Sequence, residues 1–219
     1  MAPDLPGFGD SPPDPPGTFE RHVEELERFR RQIGVDRVLL VVHDTGGLIG
    51  LKWACDHPDA VGGLVITNTG FFPDHGWIEI ARTMRTPIQG EALVDSLSRE
   101  AFGTLLEEAS SEFDEPALDE YWKAFSTAEG RRGMLELYRS FELDELKPYQ
   151  SKLAALAVPT LILWGRQDEY IPADYASRFA EEIPSAKLVW LEGVRHFLFE
   201  DEPERCAHEV IDFLREAGI

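Results

Sequence analysis

A chain of 219 residues is long enough for one sizeable hydrophobic core, and 43% hydrophobic residues with a mean hydropathy of −0.25 read as soluble and globular. The 41 acidic residues outnumber 21 basic ones, and the resulting net charge of −20 argues against nucleic acid or an anionic membrane surface as a partner. No apolar run approaches the roughly 20 residues of a membrane span, no signal-peptide pattern opens the chain, and Cys55 and Cys206 read as small core residues of a reduced, cytoplasmic protein.

Residues 2–17 are rich in Pro and Gly and read as a loop. Thr18 is a good N-cap for a helix whose Phe19, Val23, Leu26, Phe29 and Ile33 share one face, and Gly34 ends it. The strand expected over 38–42 is apolar on both faces, as inside a parallel sheet. A sharp turn, His43-Asp44-Thr45-Gly46-Gly47, leads into a helix that runs to about His57 and is stopped by Pro58; small residues at 46, 47 and 50 let it lie close to the strand. Leu64-Val65-Ile66-Thr67 is the next strand. From about 71 to 150 the pattern is helical, in amphipathic pieces at 77–84, 91–97, 117–125 and 133–141. Strands return at 160–164 and at Lys187–Leu191, each followed by a helix, over about 173–183 and 203–217, the last with Cys206, Val210, Phe213 and Leu214 inward. Strands alternating with helices predict an α/β fold with a parallel sheet. Residues 1–70 and 151–219 form its core, and 71–150 a helical cap over the carboxyl ends of the strands, where open α/β sheets bind ligands.

The turn at 43–47 has the form of a nucleophile elbow, with Asp44 where a serine is usual. The substitution changes the chemistry. A serine makes an acyl ester from a carbonyl substrate, whereas a carboxylate attacks saturated carbon and becomes the acyl half of the ester. Asp168 follows the third strand in Trp164-Gly165-Arg166-Gln167-Asp168, and His196 follows the fourth in Gly193-Val194-Arg195-His196. In the roles this order implies, Asp44 attacks carbon, His196 removes a proton from the water that cleaves the ester, and Asp168 orients the imidazole. The Thr45 backbone N–H helps hold the oxyanion. Taken singly, Asp44 reads equally well as a helix N-cap, while Asp168 also fits a turn residue and His196 a loop histidine, each less well than the catalytic role. Their order at three strand ends favours the catalytic reading. His43 more naturally shapes the elbow than acts as a base, and His22, His57, His75 and His208 show no pairing pattern. Metal-ligand spacing and a phosphate-binding glycine loop are absent, so neither metal nor cofactor is expected.

Together with Pro3-Asp4-Leu5-Pro6-Gly7-Phe8-Gly9-Asp10-Ser11, these motifs resemble the haloalkane dehalogenase and epoxide hydrolase branch of the α/β-hydrolase superfamily, over essentially the whole chain and least in the cap. The resemblance implies a small apolar organic substrate, water, and a covalent alkyl–Asp44 ester. It implies dehalogenation first, epoxide opening as the alternative, and a non-catalytic homologue as a third reading. Members of the branch often carry Trp after the nucleophile, where its indole N–H binds the departing halide; this chain has Thr45. Trp77 and Trp122 are the candidates to supply an N–H instead, and Tyr121 and Tyr138 to protonate an opening epoxide, although each also suits ordinary packing. The resemblance further places Met1 at the end of the fourth of the usual eight strands. It therefore predicts a truncated chain lacking the first strands and the His-Gly-x-Pro loop that carries a second oxyanion donor. The strand at 38–42 is then an exposed sheet edge, and self-association through that edge is expected.

Overall fold

The strands β1 (Val38–His43), β2 (Val61–Thr67), β3 (Thr160–Gly165) and β4 (Lys187–Leu191) lie parallel in the order β1-β2-β3-β4. The structure, a computed structural model, describes residues 1–74, 76–110 and 112–219; the histidine at 75 lies outside the described residues. β2 begins earlier than its apolar run suggests, because Val61 and Gly63 pair with Val38 and Leu39. Both faces of the sheet are apolar, so alternate side chains feed two cores. Leu40, Val42, Leu64, Ile66, Ile162 and Trp164 face one side, and Val65, Leu161, Leu163 and Leu191 the other.

Helices α1 (Phe19–Gln32), α2 (Asp44–Asp56), α8 (Gln150–Ala155) and α9 (Asp174–Glu182) cover the first face. The Thr18 hydroxyl accepts from Arg21 N at 3.3 Å and so starts α1 as the sequence predicts. α1 also buries a charge: Glu27 accepts from Trp53 Nε1 at 3.1 Å and pairs with Arg30 and Arg31 at 2.8 and 2.6 Å. α10 (Leu198–Asp201) and α11 (Pro203–Ala217) supply Leu198, Cys206 and Phe213 to the second face.

Between β2 and β3 the chain forms α3 (Glu79–Arg85), α4 (Gln89–Ser96), α5 (Arg99–Ala109), α6 (Glu115–Ser126) and α7 (Ala128–Arg139). Met84, Val94 and Leu135 from α3, α4 and α7 make a small apolar cluster of their own. The amphipathic pieces named from the sequence correspond to α3, α4, α6 and α7. α5 was not among them; its Ser98 cap accepts from Ala101 N at 3.1 Å, and it buries Phe102, Gly103, Leu106 and Ala109.

β1 pairs with β2 alone, and its other edge carries no strand among the described residues. Val41 on that edge is 46% exposed. It borders an apolar hollow of ≈ 490 Å³ with Phe199 and Ile211.

Candidate active site

Parallel strands bring their carboxyl ends to one edge of the sheet, so the residues that follow β1, β2, β3 and β4 meet there. Asp44 follows β1 directly and opens α2 with φ of 43°, a left-handed conformation uncommon outside glycine. The neighbouring chain holds this geometry. Asp44 N donates to Asn68 O at 3.1 Å, and Thr69 Oγ1 donates to Asp44 O at 2.6 Å. Close packing of α2 on the sheet explains two of the small residues in the turn. A Cβ on Gly47 would stand 2.1 Å from Thr69 Oγ1, and one on Gly50 2.6 Å from Val42 Cγ1.

His196 Nδ1 lies 2.8 Å from Asp168 Oδ2. A carboxylate only accepts, so Nδ1 carries a proton, and in the neutral ring Nε2 presents a lone pair. Nε2 points toward Asp44, 3.7 Å from Oδ1, too far for a direct hydrogen bond. The Asp168 side chain is fully buried and fully satisfied. Oδ1 accepts from the N–H groups of Tyr170 and Ile171 at 2.8 and 3.0 Å, and Oδ2 also accepts from Asn68 Nδ2 at 2.6 Å. Burial opposes ionisation of Asp168, but the hydrogen bonds from His196 and Asn68 outweigh it and hold the carboxyl below its ordinary value. Burial likewise opposes charge on His196, yet the Asp168 hydrogen bond and the negative charge of Asp44 raise its pKa above 6.5.

His43 packs its ring 4.7 Å from that of His196. The Thr67 hydroxyl spends its proton on Val42 O at 2.7 Å, so His43 Nδ1, 3.2 Å away, is the donor to Thr67 Oγ1. Burial and the nearby His196 push the His43 pKa down to about 4, which keeps the ring neutral.

The Asp44 side chain is 43% exposed and opens onto a cleft of ≈ 310 Å³. Leu5 and Phe8 from the N-terminal loop, Ile49 from α2, and Met134, Leu137 and Tyr138 from α7 make its walls largely apolar. Asp4 adds a second carboxylate, so the cleft disfavours anions. Tyr138 OH lies 3.1 Å from Thr45 Oγ1, whose hydroxyl donates to Asp44 Oδ2 at 3.2 Å. Trp77 sits behind Tyr138, with ring centroids 5.9 Å apart, and its face takes the Arg85 guanidinium at 4.6 Å. Trp122 packs on Phe102 and Phe125 within the helical insertion. Tyr121 packs on Phe113 and Phe197 and donates its hydroxyl to Glu200 at 3.1 Å. Of the four aromatic candidates, Tyr138 lines the cleft, Trp77 backs it, and Tyr121 and Trp122 are engaged elsewhere.

Asn68 and Thr69 were not singled out from the sequence. Their signal was positional: Thr67-Asn68-Thr69 ends and follows β2 just as the other site residues follow their own strands.

A carboxylate at a strained strand-to-helix turn, faced by a histidine that a buried acid orients, is an arrangement of the α/β hydrolases, and a family model described as alpha/beta hydrolase fold matches residues 1–203; the chain belongs to that family. It is 30% identical to haloalkane dehalogenase 2 of Mycobacterium tuberculosis over 97% of this chain and 77% of the relative. It is 28% identical to a cis-3-alkyl-4-alkyloxetan-2-one decarboxylase of Shewanella oneidensis over 96% of this chain and 71% of the relative. The solved haloalkane dehalogenase DbeA from Bradyrhizobium elkani superposes with a TM-score of 0.85 over 99% of this chain and 80% of its own, at 24% identity, and so shares the fold.

Proposed function

We propose that this chain hydrolyses a small, neutral, apolar haloalkane through an alkyl ester on Asp44. The observation that carries the reading is a carboxylate, not a hydroxyl, at the elbow, with Nε2 of His196 3.7 Å from its Oδ1. Asp44 displaces halide from saturated carbon. His196 then takes a proton from water, the water oxygen adds to the ester carbonyl carbon, and the alcohol leaves with the proton from His196. Asp168 holds the imidazole and stabilises the imidazolium. Residues 71–150 act as the cap in this reading, because α7 supplies Met134, Leu137 and Tyr138 to the cleft.

Strained oxygen rings are the second reading. The Tyr138 hydroxyl in the cleft favours it, and so does the resemblance to an oxetanone decarboxylase. The test is trapping. His196→Ala, incubated with bromohexane, with an epoxide and with a β-lactone in parallel, should gain the mass of one adduct located on the peptide containing Asp44. A haloalkane adduct appears with stoichiometric free bromide; an epoxide adduct retains the hydroxyl. A folded variant that forms no adduct with any of the three is a non-catalytic homologue.

A further inference from the structure

We propose that the Thr45 hydroxyl, aligned by Tyr138, is a side-chain oxyanion donor for cleavage of the alkyl–Asp44 ester. The inference rests on Asp44 being the nucleophile.

Counting protons sets the direction of the hydrogen bonds. Ionised Asp44 accepts and cannot donate, so the single proton of Thr45 Oγ1 points to Oδ2 across 3.2 Å. Thr45 is then left with lone pairs toward Tyr138, and the phenol must donate across the 3.1 Å between them. Burial and the negative charge of Asp44 both raise the Tyr138 pKa, so the phenol keeps its proton. The two O–H groups therefore run head to tail, Tyr138 to Thr45 to Oδ2, and each polarises the next.

The two oxygens of Asp44 are thereby made unequal. Oδ2 is held by Thr45, whereas Oδ1 faces His196 Nε2 at 3.7 Å, beyond hydrogen-bond range, and accepts no hydrogen bond among the described residues. Oδ1 is the freer nucleophile. When it bonds to the substrate carbon, the carbon–halogen bond breaks and halide leaves with the electron pair. Oδ2 becomes the ester carbonyl oxygen, still facing Thr45. In the second step His196 takes a proton from water, the water oxygen bonds to Cγ, and the carbonyl π pair moves onto Oδ2. The intermediate collapses by breaking the Cγ–Oδ1 bond, and the alkoxide takes the proton from His196. The product alcohol thus carries the former Oδ1.

Charge on Oδ2 follows a distinctive course. It falls during alkylation and rises to a full negative charge during ester cleavage. A donor at Oδ2 consequently restrains the first step slightly and accelerates the second, because only interactions stronger in the transition state than in the preceding state raise a rate. A residue that merely supported the fold would slow both steps together.

The experiment separates the steps by rapid quench with bromohexane, following bromide release and the mass of the intact protein. Thr45→Val keeps the shape and removes the hydroxyl. It should leave the bromide burst intact, slow ester cleavage by about 100-fold, the order expected for a lost oxyanion donor, and accumulate the alkyl adduct. Thr45→Ser should restore turnover. Tyr138→Phe should slow ester cleavage by about 10-fold through the misaligned threonine, and add little in the Thr45→Val background. Turnover of Thr45→Val at the parental rate, or equal slowing of burst and cleavage, overturns the proposal while His196→Ala still forms its adduct. Failure of His196→Ala to form an adduct overturns the nucleophile itself, and the inference with it.

Discussion

Asn68 grips the carboxylate of Asp168, with Nδ2 2.6 Å from Oδ2, while Asn68 Oδ1 accepts from Gly165 N at 2.9 Å. One buried amide thus ties the end of β2 to the turn that carries the acid. A hydrogen bond to a charged group contributes about 1.5–3 kcal/mol. Asn68→Ala should therefore slow ester cleavage by roughly 10- to 100-fold at neutral pH and lower the thermal midpoint, since the Gly165 N–H loses its partner. Rapid-quench kinetics and calorimetry check the two effects separately.

The pH dependence should divide the reaction in two. Ester cleavage requires neutral His196, whose pKa is raised above 6.5. The rate should climb as pH rises through that elevated value and level off above it. Alkylation does not use His196 as a base, so at pH near 6 a halide burst should be followed by slow turnover with adduct present. A turnover rate that is flat across this range would contradict His196 as the base.

The elbow should tolerate a methyl group at one glycine and reject it at the next. Nothing lies within 4 Å of a Cβ on Gly46, whereas one on Gly47 meets Thr69 Oγ1 at 2.1 Å. Gly46→Ala should leave folding stability within about 1 kcal/mol. Gly47→Ala should cost about 1–3 kcal/mol by overpacking and displace the threonine that holds the Asp44 carbonyl. Urea unfolding of both variants compares them directly.

His22 should make the fold sensitive to mild acid. It is 1% exposed, and burial pushes its pKa below 6.5. The unfolded chain therefore binds a proton there more readily than the folded one. The stability from this site is fully present above about pH 6.5, the ordinary histidine value, and is lost as pH falls through the lower folded value. A urea midpoint that drops between pH 7 and pH 5, with a smaller drop in His22→Gln, is the expected result.

In the chain of residues 1–219, the outer edge of β1, which carries no strand among the described residues, should recruit a second strand. An edge without a neighbouring strand among the described residues, and the apolar hollow that Val41 lines with Phe199 and Ile211, favour edge-to-edge pairing. Sedimentation velocity should show concentration-dependent association that Val41→Lys suppresses, because a lysine on an edge opposes pairing. A monomer at all concentrations, with slow amide exchange along β1, would count against it.

The sequence by itself determined the alternation of strands and helices, the elbow at 43–47, and the positions of Asp44, Asp168 and His196 after three strands. Those signals are local: apolar runs, small residues, and polar residues where strands end. α5 was not named from the sequence, although Phe102, Leu106 and Ala109 recur at helical spacing behind the Ser98 cap. Only the tertiary structure decided which partners meet across the sheet. Asn68 and Asp168 are 100 residues apart, and Thr45 and Tyr138 are 93 apart; each pair depends on how β3 stacks beside β2 and how α7 returns over the strand ends. Tyr121 and Tyr138 had the same expected role in the sequence, and packing alone separated Tyr138, in the cleft, from Tyr121, which donates to Glu200. Side-chain hydrogen bonds of this range leave no periodic trace in a chain, because a single polar residue at a strand end fits a turn as well as a site.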